Sequence, residues 1–323
     1  MRRGLAGAAL SASARATPAG ENQAVNRPAS PPEAAAPAPA PAPTLVHSAF
    51  YRFTPLPDAM AAAARLRTLA AELFGAITVA PEGLNGAVAG PLPALQAFEA
   101  ALQRADVLGG AFAGMPFKHS ACLTPPYARL KVLVKPEIVA LGLPEGAALP
   151  LPDAQDATHL SPQQWREMLH RQAGGDDNGA GVVLLDNRNH FEFRLGHFKG
   201  AEDPGVRHFR DFVAYVETHA PAWREAQRPV AMYCTGGIRC DKTAPWLQSL
   251  GLQVLQLEGG ILNYFQQLPD AAQDWQGECF VFDKRIALDA NLQETPTTAA
   301  EVFDEADPGE AWRLARAKRL DAF

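Results

Sequence analysis

The chain has 323 residues, 47% of them hydrophobic and 20% charged, with a formal net charge of −6. That length and composition suit two globular domains with full cores, while the acidic balance excludes wholesale nucleic-acid binding and leaves room only for a local basic patch. Four scattered cysteines (Cys122, Cys234, Cys240 and Cys279) without a Cys-two residues-Cys spacing exclude a secreted disulfide scaffold, and no apolar stretch approaches the roughly 18 residues of a membrane-spanning helix.

Residues 1–43 read as a disordered leader. The Pro-Ala tract around Pro31–Pro41 can hold neither a helix nor a ladder strand. The alanine-rich run after Arg2-Arg3 is too weakly apolar for a secretory signal, which leaves an over-long start or a transit peptide as alternatives.

Residues 44–142 form the first predicted domain. His47 to Phe53 reads as a strand, Pro57-Asp58 opens an alanine-rich helix, and Ala76 to Ala80 is a second strand. A turn over Pro81 to Gly86 leads to a third extended segment, Ala87 to Gly90, and a helix from about Pro93 to Arg104 precedes a last strand, Ala128 to Val134. The order strand-helix-strand-strand-helix-strand is the ferredoxin-like (acylphosphatase-like) α+β plan. Alternation in the last strand places Arg129, Lys131, Leu133 and Lys135 on one face, either as a phosphate-backbone contact or as the charges that keep an edge strand soluble.

A Pro- and Gly-containing linker covers 143–157, and a second domain covers 158–272. Ser161-Pro162-Gln163-Gln164 is an N-cap signature for a helix from Trp165 to Arg171. Val182–Asp186, Pro229–Tyr233 and Gln253–Leu257 are short apolar runs of the kind buried in a parallel sheet. Predicted helices over Phe209–Thr218 and Lys242–Leu250 alternate with them, which points to a central parallel sheet flanked by helices. Functional residues then belong at the carboxyl ends of the strands, where Asp186-Asn187-Arg188, the segment after Tyr233 and Glu258-Gly259-Gly260-Ile261 all arrive. There Arg188 can orient a bound group and Asp186 can tie down a loop through backbone N–H groups, or each can be an ordinary surface charge. His197 before Gly200 reads as a turn residue or, alternatively, a base.

Cys234-Thr235-Gly236-Gly237-Ile238-Arg239 is the most specific motif. A Gly-rich loop between a strand and a helix curls its backbone N–H groups around the cysteine while the helix aims its positive end at the sulfur. Together with Arg239 this lowers the thiol pKa and makes a nucleophile. Cysteine phosphatases of the Cys-five residues-Arg type need one more residue to surround a phosphate, so this shorter ring suits a persulfide or a smaller group.

Asp186 to Ala201, Tyr233 to Cys240 and Leu257 to Ile261 strongly resemble a rhodanese domain. Glu82-Gly83-Leu84-Asn85-Gly86-Ala87-Val88-Ala89-Gly90, Ala128 to Val132 and Gly277-Glu278-Cys279-Phe280-Val281-Phe282-Asp283 narrow the resemblance to the oxygen-dependent tRNA uridine hydroxylase family, over about residues 47–292. The resemblance implies a cytoplasmic enzyme, an oxidoreductase converting the wobble uridine of tRNA to 5-hydroxyuridine. Cys234 is then the catalytic cysteine, Thr235 to Arg239 its cradle and Cys240 either a resolving thiol or a buried helix cysteine. Cys279 reads as core. Asn187 departs from the apolar residue many rhodanese domains carry there.

On this reading an anticodon loop meets Arg129, Lys131, Lys135, Arg188 and Arg194 with its uridine flipped toward Cys234. Thiolate addition to C6 of the ring makes C5 nucleophilic toward an oxygen species. Dioxygen is the co-substrate, the electron donor is open, and no bound cofactor, metal site, membrane or obligate protein partner is expected. The C-terminal extension, 273–323, ends in a basic amphipathic stretch, Ala311 to Leu320, that touches RNA or packs on the body. The alternatives are a thiosulfate-type sulfurtransferase working through a Cys234 persulfide, for which the first domain is superfluous, and a non-enzymatic RNA-binding module.

Overall fold

The computed structural model describes residues 45–123, 125–143, 150–152, 158–174 and 181–321. The leader expected over 1–43 and most of the linker expected over 143–157 lie outside the described residues.

The first part comprises β1 (Leu45–Phe53), α1 (Ala59–Leu69), β2 (Phe74–Ala80), β3 (Gly83–Gly90), α2 (Leu92–Leu102), β4 (Lys118–Cys122) and β5 (Leu130–Val134). Asp58 caps α1 by accepting a hydrogen bond from the Ala61 N–H at 2.8 Å. The strands form one sheet in the order β4-β1-β3-β2-β5. Both helices cover one face, where Leu66, Leu95, Phe98 and Leu102 pack on Phe50, Ile77, Leu84, Val88 and Val132.

The ferredoxin-like plan is present, but its fourth strand is not the one expected from sequence. Lys118–Cys122 lies beside β1 and completes the plan, whereas Leu130–Val134 is a fifth strand added parallel to β2 at the opposite edge. Lys118-His119-Ser120-Ala121-Cys122 buries only Cys122, so its short, polar sequence carries little strand signal. The turn expected over Pro81 to Gly86 is confined to Pro81-Glu82, and β3 begins at Gly83. Gly83 has φ +141°, and a Cβ there would stand 2.0 Å from the Arg52 carbonyl oxygen.

The face opposite the helices is lined by small residues in register. Lys118, Ala49, Ala87, Ala76 and Lys131 form one row across all five strands. Tyr51, Asn85, Thr78 and Leu133 form the next.

The second part runs β6 (His159–Leu160), α3 (Pro162–Gly174), β7 (Val183–Asp186), α4 (His190–Leu195), β8 (Gly196–Phe198), α5 (Phe212–Glu225), β9 (Val230–Tyr233), α6 (Ile238–Ser249), β10 (Val254–Leu257) and α7 (Gly260–Gln267). The sheet β6-β10-β9-β7 is wholly parallel. Val183, Leu185, Val230 and Met232 point to α5 and α6, while Leu184, Ala231, Tyr233 and Leu257 point to α3 and α7. Burial on both faces explains the continuous apolar runs.

β11 (Trp275–Gly277) pairs with β8, and β12 (Cys279–Phe280) pairs with β13 (Ala287–Leu288). α8 (Ala299–Val302) and α9 (Pro308–Asp321) follow. Phe303 and Leu314 pack on Phe191 and Phe280, holding this extension against the second part.

Candidate active site

Cys234 immediately follows β9, and α6 starts four residues later. Between them Gly237 takes φ +100°, which turns its N–H onto the Cys234 sulfur at 3.1 Å. The N–H groups of Arg239 and Cys240 point to the same sulfur, and the Cys240 thiol also hydrogen-bonds it. Burial alone would raise the Cys234 pKa, but the Cys240 hydrogen bond, the Arg239 charge and these N–H groups outweigh it and bring the thiol from 9.0 down to about 6. Cys240 moves the opposite way, held well above the ordinary range by burial and by its bond to Cys234. The pair is thus set so that Cys234 is the sulfur that ionises and Cys240 the one that keeps its proton.

Glu192 fixes the loop arginine. Its buried carboxylate accepts from Arg239 Nη1 and Nη2, each at 2.9 Å, and from the Asn189 N–H at 3.2 Å. α7 closes the other side, with the Ile261 N–H on the Cys234 carbonyl at 3.0 Å and the Leu262 N–H on the Thr235 carbonyl at 3.1 Å. A Cβ on Gly260 would lie 2.4 Å from that Cys234 carbonyl oxygen, so only glycine lets the segments meet.

The first part of the chain completes the loop. Lys118 Nζ donates to the Gly236 carbonyl and, at 2.9 Å, to the Gly259 carbonyl. Burial lowers the Lys118 pKa, and the Cys234 and Asp241 charges partly offset this. The Tyr51 hydroxyl donates to Asp241 at 2.9 Å. Lys242 pairs with Glu82 and, at 3.1 Å, with Glu137. The row of small residues around Ala49, Ala76 and Ala87 thereby faces Cys234 across a cleft of about 390 Å³, closed further round by Val281 to Asp283 and Arg285. This volume falls within the range of about 300–1,000 Å³ for small-molecule sites. Phe282, 58% exposed, stands at its edge with the Arg239 guanidinium 5.5 Å from its ring.

A reactive cysteine loop facing an acylphosphatase-like sheet is a specific combination. Residues 45–138 match the UPF0176 acylphosphatase-like domain and residues 166–267 the rhodanese-like domain. A protein from Nitrobacter winogradskyi named tRNA uridine(34) hydroxylase is 42% identical over 265 residues, covering 80% of this chain and 97% of the relative. Proteins of the same name from Synechococcus elongatus (43% identity, 77% of this chain, 87% of the relative) and Deinococcus radiodurans (41%, 76% and 77%) are similar. The chain belongs to the tRNA uridine(34) hydroxylase family.

Within this tRNA uridine(34) hydroxylase family member, Cys234, Thr235, Gly236, Ile238 and Arg239 line the cleft, and Gly237 and Cys240 lie directly behind it. Lys131 shares the sheet face that floors the cleft, and Arg129 and Lys135 are exposed at the ends of the same edge strand.

Two expectations are corrected. Arg188 neither reaches the cleft nor is available to RNA. It is fully buried, forked onto Asp186 at 2.8 and 2.6 Å, donating to the Gly196 carbonyl at 2.6 Å and lying over Tyr233 and Trp275. Asp186 accordingly holds this arginine rather than the Cys234 loop. Arg194 is exposed and pairs with the C-terminal extension, through Glu310 at 2.7 Å and the Val302 carbonyl at 2.9 Å.

His197 is structural, stacked on Phe193 and bonded to its carbonyl at 2.9 Å. Asn187 donates to Thr243 at 2.8 Å, which uses a polar side chain to tie β7 to α6. Cys279 is buried, its thiol pushed up to about 12 by burial. Glu192, Lys118 and Tyr51 are the site residues that sequence reasoning missed. Only Glu192 carries a local signal, as the carboxylate of a capping box begun by Asn189. Among the described residues no three His, Cys, Asp or Glu side chains gather as a metal site, and no helix is long and apolar enough to cross a membrane.

Proposed function

We propose that the protein hydroxylates C5 of the wobble uridine in tRNA, with Cys234 as nucleophile, dioxygen as co-substrate and an external two-electron donor. The observation that carries this reading is a cysteine thiolate opening onto a cleft of nucleobase size that needs both parts of the chain. A base must leave its stack to enter such a cleft, and anticodon loops present unstacked bases.

The Cys234 sulfur adds to C6, and the C5–C6 π pair moves toward the C4 carbonyl, leaving C5 electron-rich. C5 then bonds to one oxygen atom derived from dioxygen. Loss of the C5 proton and expulsion of the thiolate restore the ring. The second oxygen leaves as water, using two electrons and two protons from the donor. The Cys240 S–H stabilises the resting thiolate, and should Cys234 be oxidised to a sulfenic acid, attack by Cys240 releases water and leaves a reducible disulfide. Lys131, Arg129 and Lys135 hold the RNA backbone, and the reaction takes place in the cytoplasm.

The sulfurtransferase alternative is not favoured, because Lys118 and Tyr51 tie the first part of the chain into the loop, where a small sulfur donor has no need of it. Intact Cys234 and Arg239 in a depressed-pKa site likewise speak against a binding module without chemistry. Mass spectrometry of tRNA nucleosides from cells expressing wild-type or Cys234→Ser protein tests the proposal. Wild type restores 5-hydroxyuridine derivatives in a null strain and the variant does not; persistence with Cys234→Ser overturns it.

A further inference from the structure

A second cavity, of about 130 Å³, shares Val281, Phe282 and Asp283 with the Cys234 cleft, and its other wall is α9. Two large aromatic side chains on its lining reach solvent, Phe282 (58% exposed) and Trp312 (44%). The Arg313 guanidinium lies 4.8 Å from the Phe191 ring and 4.7 Å from the Trp312 ring, and its buried Nε has no hydrogen-bond partner. Lys284 and exposed Arg316 also line the cavity. Its one carboxylate, Asp283, is already forked onto Arg285 at 2.9 and 2.7 Å. The groove is therefore aromatic and cationic.

Exposed rings beside arginines are what single-stranded nucleic acids use as stacking platforms, the ring taking the base and the cations the backbone. An apolar peptide would leave Lys284 and Arg316 without counter-charge in the groove. Through Phe282 the groove runs on directly from the cleft. Resting on the reading that the cleft takes a tRNA uridine, we propose that the C-terminal groove binds the neighbouring nucleotide of the same RNA, its base stacked on Trp312 and its phosphate held by Arg316 and Lys284. α9 is then part of the RNA-binding surface as well as a packed helix.

Trp312 provides its own reporter, because the other four tryptophans, Trp165, Trp223, Trp246 and Trp275, are buried. A synthetic anticodon stem-loop RNA should quench the tryptophan fluorescence of the full chain, and Trp312→Phe should bind equally well without the quench. Trp312→Ala should weaken binding about ten-fold, as loss of one stacked base does. Exposed Arg316→Ala, which leaves the α9 packing intact, should weaken it several-fold and flatten the salt dependence. Unchanged fluorescence at saturating RNA, with binding followed by anisotropy of labelled RNA, overturns the groove, as do unchanged affinities of both Trp312→Ala and Arg316→Ala. The two readings fail separately: tRNA hydroxylation without quenching removes the groove alone, and quenching without hydroxylation removes the assigned reaction alone.

Discussion

The Lys118 ammonium, carried on the edge strand of the first sheet, holds the Gly259 carbonyl of the Cys234 loop region at 2.9 Å. The nucleophile and one of its fixing cations thus belong to different parts of the fold. Removing a charged donor from buried acceptors costs roughly 1.5–3 kcal/mol per bond. Lys118→Met should therefore lower turnover about ten- to hundred-fold and raise the pKa of Cys234, read from the pH dependence of its alkylation, while thermal unfolding shows the chain still folded.

The thiol itself sets a pH window. Folding lowers the Cys234 pKa from 9.0 to about 6. The sign follows from linkage: a depressed acid contributes stability that is full above the unfolded pKa and disappears as pH falls through the folded one. Iodoacetamide should modify Cys234 half-maximally near pH 6. Denaturant stability of wild type relative to Cys234→Ser should rise from pH 6 to pH 9.

Glu192 and Arg239 form a pair with almost no solvent contact. Breaking a buried pair from one side leaves an uncompensated charge at a cost of about 3–5 kcal/mol. Glu192→Gln should lose stability on this scale in urea titrations and lose activity with it. Asp186→Asn, which strands the equally buried Arg188, should match it in stability loss.

At Gly237, φ of +100° and a Tyr51 hydroxyl 2.7 Å from any added Cβ rule out a side chain. Gly237→Ala should cost about 1–3 kcal/mol in backbone strain and push Tyr51 off Asp241. Activity should fall more than melting temperature.

Lys131 and Lys118 end the same row of the sheet, four strand spacings or roughly 19 Å apart. With Lys118 engaged at the loop, the proposed RNA backbone contact in this row falls to Lys131. Lys131→Ala should weaken binding of an anticodon stem-loop and reduce its salt slope by about one.

The sequence made the cysteine loop legible because its cysteine, its two glycines and its arginine lie within six residues and end a run of apolar strand. The alternation of strands and helices in the second part was equally plain, since strands buried on both faces leave no ambiguity of side. What escaped was non-local. Lys118 sits in a strand whose polar residues gave no periodic signal, and it meets Gly236 across 118 positions of sequence. Arg188 looked like a site residue because its neighbours in sequence end at the site, yet its partner Asp186, two residues away, turns it inward.

The row Ala49, Ala87 and Ala76 facing the cysteine has no rotamers to change, so backbone fixes that wall of the cleft. A wall of this kind works as a fixed gauge: it admits or refuses a ring by thickness and footprint, and cannot yield to a larger one by swinging a side chain aside. Widening or narrowing that wall requires rewriting an alanine, and each such change would register directly in which rings fit.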